Sequence, residues 1–299
     1  MTTTADAIRT IAQRVDEHLR AFVDDVAVAR LGLPANLAGA LRYALLGGGK
    51  RVRPVLAWGA CEAVGGAGEA SLPAGAAVEM IHAFSLVHDD LPALDDDDLR
   101  RGKPTLHKHT SEPMAILAGD QLLTLAFGAI EQADAGVRAR LCEELVAGTT
   151  GMIVGQTMDM ALDDAPGDDD LARLEAIHAR KTGALIRAAC RMGAIAGGVA
   201  PDAPDPRLEA ISRYADAVGL QFQVVDDLLD ATSTTEKLGK TAGKDADAGK
   251  ATYPGIIGVE RSRALADDLA DHARAALSEF GPEADLLRAV SIQLAARTS

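Results

Sequence analysis

Apolar residues recur at spacings of three and four along almost the whole chain of 299 residues, interrupted only by short clusters of Gly, Pro and Asp. The interruptions fall near Gly32–Pro34, Gly47–Gly49, Gly65–Gly68, Gly102–Pro104, Asp163–Asp170, Gly197–Pro206 and Thr232–Thr252. The stretches between them predict about ten helices of roughly 12 to 28 residues each. No short-period repeat, low-complexity tail or linker divides them, so the pattern predicts one all-α domain, a single large helical bundle over residues 1–299. Asp163–Asp170 reads as an acidic surface loop. Thr232–Thr252 is long and Gly-rich, and carries Lys237, Lys240, Lys244 and Lys250. A loop of that length inside a compact domain reads either as a lid or as a disordered segment.

Composition supports the helical reading. Apolar residues make up 48% of the chain but aromatic residues only 3%, which favours helix over sheet. The formal net charge of −14 argues against a nucleic-acid binder, which needs a basic field. Cys61, Cys142 and Cys190 are widely separated, form no CxxC pair and sit among apolar neighbours, so they read as buried reduced thiols. The amphipathic N-terminus lacks the apolar core of a signal peptide, and no uninterrupted apolar run approaches a membrane span. Both features point to the cytoplasm.

Two aspartate clusters carry the candidate chemistry: HDDLPALDDDDLRRGKPT at 88–105 and FQVVDDLLD at 222–230. Asp96–Asp98 alone would read as a solvated surface. Each cluster, however, terminates a stretch that reads as a core helix, and carboxylates on buried elements must be paired, protonated or bound to metal. Asp226 and Asp230 are four residues apart and share a helix face with Gln223, Gly219 and Ala215; the small residues leave room beside the helix. Asp89 shares its face with Ser85, His82 and Val78. Asp95, six residues on, requires Pro92 to disturb the backbone before it can reach the same ion. Hard oxygen ligands in two opposing clusters suit Mg²⁺ or Mn²⁺ and leave positions open for substrate phosphates.

Basic residues stand nearby: Lys50, Arg51 and Arg53 in GGGKRVRP, and Arg100–Arg101 after the first cluster. They suit phosphate contacts, although a basic helix start is the plainer reading of the first group. Lys181 lies on an apolar helical stripe with Leu174, Ile177, Leu185 and Met192. Such a lysine needs an anionic partner unless it snorkels to the surface.

In order and spacing these motifs resemble the trans-isoprenyl diphosphate synthase family, and bacterial farnesyl diphosphate synthases more closely. The likeness runs through GGGKRVRP, EMIHAFSLVHDDLPALDDDDLRRGKPT, ILAGDQLLTLAF, HARKTGALIRAA, GLQFQVVDDLLD, LGK and GKATYP. It implies a helical bundle of the isoprenoid synthase type with a central active-site cavity. It also implies a magnesium-dependent prenyltransferase that acts on isoprenoid diphosphates and works as a homodimer. By this resemblance Asp89, Asp95 and Asp226 are the Mg²⁺ ligands, supported by Asp90, Asp227 and Asp230. Lys50, Arg53, His82 and Arg101 match the residues that hold isopentenyl diphosphate. Arg100, Lys181, Gln223 and Lys240 match those that contact the allylic diphosphate, and Lys181, Gln223 and Lys240 join Thr182 as the implied catalytic set. Thr182 resembles the position whose oxygen helps stabilise the developing cation. Lys250 matches a family lysine, while Glu79, His88 and His178 read as structural.

Phe84 and Ser85 stand five and four residues before Asp89, a combination that resembles farnesyl synthases with the ring flooring the pocket. The expected product is therefore farnesyl diphosphate, with geranylgeranyl diphosphate as the alternative. On an ideal helix Phe84 points away from Asp89, so its role as a floor comes from the resemblance alone. A class I terpene cyclase would need a serine and a glutamate in register within DDLLDATST, and they are missing. A non-catalytic subunit could have lost some of the matched positions, and all of them are present.

Overall fold

The computed structural model describes residues 4–162, 170–200, 204–232 and 251–296. The acidic stretch at 163–169 and the loop lysines Lys237, Lys240, Lys244 and Lys250 lie outside the described residues. The helices are α1 (Thr4–Ala21), α2 (Ala35–Leu46), α3 (Val52–Ala63), α4 (Leu72–Asp89), α5 (Leu106–His109), α6 (Glu112–Ile130) and α7 (Arg138–Leu162), followed by α8 (Asp170–His178), α9 (Ala184–Ala196) and α10 (Pro206–Thr232). After the loop come α11 (Tyr253–Ile257), α12 (Val259–Ala276) and α13 (Asp285–Ala295). Two π-helical stretches, Phe22–Arg30 and Ala179–Gly183, continue α1 and join α8 to α9. Among the described residues the only strands are β1 (Leu99–Arg100) and β2 (Lys103–Pro104), paired antiparallel as a hairpin after the first aspartate cluster.

Every residue of α4 from Pro73 to Ile81 is buried. A helix that is apolar all round belongs in the middle of a fold, and α4 lies between α3 and α6. The opposite wall is built by α9, which packs on α3, α7 and α10, and by α10, which packs on α12. One apolar core runs from Ile11 in α1 to Leu294 in α13. A smaller cluster of Leu174, Val224, Val225, Leu228, Tyr253 and Leu269 backs the second aspartate motif. Buried polar contacts tie α10 down: Tyr214 Oη donates to the Leu287 carbonyl at 2.8 Å, and Gln221 Nε2 to that of Ser291 at 3.0 Å.

Two helical stretches, Gly68–Asp89 and Glu112–Ile130, are long and apolar enough to cross a membrane by length and composition alone. The first is 67% buried in the fold and the second 44%. Core position accounts for the apolar surface of α4. Half of α6 presents its apolar residues outward.

Candidate active site

The first aspartate motif begins where α4 stops. Beyond Asp89 the chain turns back on itself, and the Asp95 N–H donates to the Asp89 carbonyl at 2.8 Å. The Asp97 N–H likewise reaches the Asp90 carbonyl at 3.2 Å. The fold thus provides the turn that the sequence required around Pro92, and it brings Asp95 within electrostatic range of Asp89. Burial pushes the Asp89 carboxyl up to about 6, and Asp95 and Asp90 add to the rise while Lys181 and Arg100 oppose it. A bound cation would relieve this crowding, and the all-oxygen donor set suits magnesium. Among the described residues, no three His, Cys, Asp or Glu side chains already stand as a metal-holding cluster. Asp90 is buried and tied to Arg100, with Nε at 2.7 Å and Nη2 at 2.6 Å.

Beside this motif opens a cleft lined by Gly47, Gly48, Glu79, His82, Arg100 and Arg101, among others. Its walls are held by Arg51 and by the β1–β2 hairpin. Arg51 adopts a left-handed backbone (φ 49°) and is buried, donating from Nε to Asp16 at 2.7 Å and from Nη1 to Glu79 at 2.7 Å. It is a scaffold residue, although from the sequence it looked equivalent to Lys50 and Arg53. The hairpin is fastened to the end of α2: Arg101 donates to the Gly48 carbonyl, Tyr43 Oη to that of Pro104 at 2.7 Å, and Tyr43 stacks on His109 at 3.9 Å. Burial, with Arg53 and Arg101 close by, holds His82 well below its ordinary value, so the ring is neutral. Arg53 Nε is buried and has no hydrogen-bond partner, an orphaned donor beside the cleft. Lys50 is exposed at the start of the same segment.

The second motif lies within α10, which continues to Thr232, and so does not terminate its helix. Asp227 and Asp230 are buried and Asp226 half-buried. Opposite stands the π-helical turn that carries Lys181 and Thr182. It can approach because Cβ atoms at Gly155 and Gly219 would lie 2.2 Å from the Lys181 nitrogen and 2.8 Å from the Gly183 Cα. Gly219, read as making room beside α10, in fact admits this backbone. Lys181 has the anionic partner its apolar stripe demanded: its Nζ is 2.6 Å from Asp159 on α7, and it lies within electrostatic range of Asp89. Thr182 Oγ1 donates to Gln223 Oε1 at 3.1 Å, and Gln223 Nε2 donates to Asp227 Oδ1 at 2.8 Å.

The structure therefore gathers His82, Arg53, Arg100 and Arg101 in one basic region, and Lys181, Thr182 and Gln223 between the two aspartate motifs. Lys240 lies outside the described residues. Phe84 lies edge-on to His88 at 5.0 Å, and His88 Nε2 contacts the Ile116 carbonyl at 3.1 Å, so this ring belongs to the α4–α6 packing. Ser85 turns its hydroxyl onto the His82 carbonyl at 3.0 Å. Glu79, Asp16, Asp159 and Tyr253 were missed as site residues. Only Glu79 carried a usable signal, a lone charge inside an apolar helix.

Residues 34–281 match the polyprenyl synthetase family. The chain is 50% identical over 255 residues to geranylgeranyl pyrophosphate synthase 11, chloroplastic, of Arabidopsis thaliana, covering 83% of this chain and 70% of the relative. It is 46% identical over 256 residues to geranylgeranyl pyrophosphate synthase, chloroplastic, of Catharanthus roseus, covering 84% and 70%. Among solved structures it resembles an FPP/GFPP synthase from Zymomonas mobilis, with a TM-score of 0.81, 35% identity and 98% of each chain covered. It also resembles a geranyltransferase from Helicobacter pylori complexed with magnesium and isoprenyl diphosphate, with a TM-score of 0.82, 29% identity, and 100% of this chain and 98% of that one covered. The all-α isoprenyl synthase fold expected from the sequence is the fold observed.

These findings overturn the farnesyl expectation, because the curated relatives at about half identity are geranylgeranyl synthases. The physical reason is that product length depends on the depth of a cavity walled by several helices. The farnesyl expectation rested on one aromatic ring at a fixed offset from Asp89, and in the fold Phe84 lies edge-on to His88. The cytoplasmic expectation likewise finds no support in these plant relatives, which are chloroplastic.

Proposed function

The chain belongs to the polyprenyl synthetase family and is a prenyltransferase, and on that premise we propose that it condenses isopentenyl diphosphate with allylic diphosphates to give geranylgeranyl diphosphate. The observation that carries the product length is the 50% identity to a geranylgeranyl synthase over most of the chain. We take the whole chain as one catalytic domain.

We assign isopentenyl diphosphate to the cleft beside α4. Arg101 lines it, Arg53 adds positive charge close to His82, Lys50 starts the same segment, and the orphaned Arg53 Nε supports an anionic guest. Neutral His82 can donate one hydrogen bond to a phosphate oxygen without adding charge to an already basic wall. The allylic diphosphate is assigned to Lys181, Arg100, Gln223 and Lys240, between the two aspartate motifs. Asp89, Asp95 and Asp226 would hold magnesium, which when bound neutralises the leaving diphosphate. Lys181 and Arg100 each rest on a carboxylate, Asp159 and Asp90, which holds these cations in place before the substrate arrives. As the allylic C–O bond lengthens, positive charge grows on carbon, and Thr182 presents its oxygen there. The double bond of isopentenyl diphosphate attacks this carbon, and the proton lost passes to the departing diphosphate.

We also propose a homodimer. Val146, Ile153 and Met160 repeat every seventh residue along α7 and are exposed, as are Ile116 and Phe127 on α6. Adjacent exposed apolar stripes of this kind mark a protein contact. Light scattering should return twice the chain mass of 31.0 kDa. The reaction itself is tested by incubating the purified chain with labelled isopentenyl diphosphate and dimethylallyl diphosphate, then sizing the products. A C20 product is expected, and exclusive C15 would overturn the assignment.

A further inference from the structure

Two aspartates stand side by side in the second motif, and the structure gives them different surroundings. Asp226 is half-buried, whereas Asp227 is 6% exposed and points into the wall behind α10. Asp227 Oδ2 accepts the backbone N–H of Tyr253 at 3.1 Å, and Oδ1 accepts Gln223 Nε2 at 2.8 Å. Tyr253 is fully buried and begins α11, so its N–H has no acceptor within its own helix and its position is set by packing. Resting on the proposed reaction, we propose that Asp227 is a positioning residue: it sets the direction of a hydrogen-bond relay that ends with the Thr182 oxygen presented to the reacting carbon.

The direction follows from donor and acceptor chemistry. A backbone N–H can only donate, so Asp227 Oδ2 must accept. Its other oxygen accepts from Gln223, which must therefore turn its NH₂ towards Asp227 and its carbonyl away. That carbonyl faces Thr182 Oγ1 at 3.1 Å and takes the hydroxyl proton. A hydroxyl has one proton, so once it is given to Gln223 only lone pairs remain for any other partner. A growing positive charge beside Thr182 thus meets oxygen lone pairs and not an O–H dipole of the wrong sign. Gln223 is in this view the middle of the relay, four residues and one helical turn before Asp227.

Asp227→Asn tests the direction without changing size. Tyr253 still demands an acceptor, so the Asn carbonyl stays there and its NH₂ faces Gln223. Gln223 must then turn its carbonyl to the Asn and its NH₂ to Thr182, and the Thr182 proton is released towards the reacting carbon. We expect kcat to fall about tenfold or more, the loss typical of one misdirected transition-state dipole. The Michaelis constant for isopentenyl diphosphate, the magnesium concentration for half-maximal rate and the melting temperature should stay close to wild type. The decisive comparison is a double-mutant cycle, since groups acting through one another are not additive. In a Thr182→Val background, Asp227→Asn should slow the enzyme no further. In a Thr182→Ser background, which keeps the hydroxyl, it should slow it as in wild type. An equal loss in wild type and in Thr182→Val, or a Thr182→Val enzyme with wild-type kcat, overturns the relay. A raised magnesium requirement in Asp227→Asn makes Asp227 a metal ligand and also overturns it. Failure of the underlying reading is distinct, because the wild-type chain itself would then form no C20 product.

Discussion

Glu79 is the residue whose replacement should reveal most about how the cleft is held. It is 4% exposed, and its partner Arg51 is 3% exposed at 2.7 Å. It is also the acidic group that offsets the buried guanidinium of Arg53 and that of Arg101. Glu79→Ala therefore leaves buried Arg51 with only the half-exposed Asp16 as counter-charge and lets three arginines repel one another. Breaking a buried pair by removing one partner costs ~3–5 kcal/mol. For a chain of this size that corresponds to a melting temperature lower by ~6–10 °C, at about 2 °C per kcal/mol. The double variant Arg51→Met, Glu79→Met removes both charges. It leaves Asp16, which is half-exposed and solvated, and the Leu45 carbonyl, which loses a donor at a cost of about 1 kcal/mol. The double variant should therefore melt within ~4 °C of wild type, well above the single one. Inorganic pyrophosphate should raise the melting temperature of Glu79→Ala more than that of wild type, because it supplies the missing negative charge. Differential scanning fluorimetry with and without pyrophosphate reads all three. A single variant that loses under 2 °C, or a double variant no more stable than the single, would refute the reasoning.

Other outcomes follow from the same geometry. Arg53→Ala should raise the Michaelis constant for isopentenyl diphosphate by about 10–100-fold with little change for the allylic substrate, since it removes one charge-assisted contact; equal changes in both would redraw the two sites. Lys181→Ala should cut kcat by ~10²–10³-fold by removing positive charge from the departing diphosphate, and a variant above a tenth of wild-type turnover would contradict that role. Because Asp89 is raised to about 6, the metal-free fold holds that proton more tightly than the unfolded chain, and this group destabilises the fold as pH climbs from about 4 to 6. In EDTA, Asp89→Asn should thus melt above wild type at pH 7, with the gap closing towards pH 4; a lower melting temperature at pH 7 would reverse the sign. Phe84→Ala should lower the melting temperature and leave C20 the main product, whereas a shift to longer chains would restore the ring as a pocket floor.

What the sequence disclosed follows its physics residue by residue. The fold was legible because 3.6-residue periodicity persists with few interruptions. Asp95 was legible because a proline three residues after Asp89 must turn the chain, and the 2.8 Å bond back to the Asp89 carbonyl is that turn. Lys181 was legible as a charge in need of an anion, but its partner Asp159 lies 22 residues away on another helix, and no local pattern predicts such a pair. The π-helical turn at Ala179–Gly183 carries no turn residue other than Gly183, so the sequence read it as continuous helix. Arg51 looked like its neighbours Lys50 and Arg53 because cation spacing is silent about a left-handed backbone. Product length was misread because it was inferred from one side chain, whereas pocket depth is a property of several packed helices.

In the proposed reaction the pocket admits a C15 chain and extends it once. A single-turnover reaction with farnesyl diphosphate as the only allylic substrate, labelled isopentenyl diphosphate and magnesium tests it most directly. Labelled C20 geranylgeranyl diphosphate, with the label retained, is the expected product. A chain that turns over dimethylallyl and geranyl diphosphates yet leaves farnesyl diphosphate unextended would contradict it.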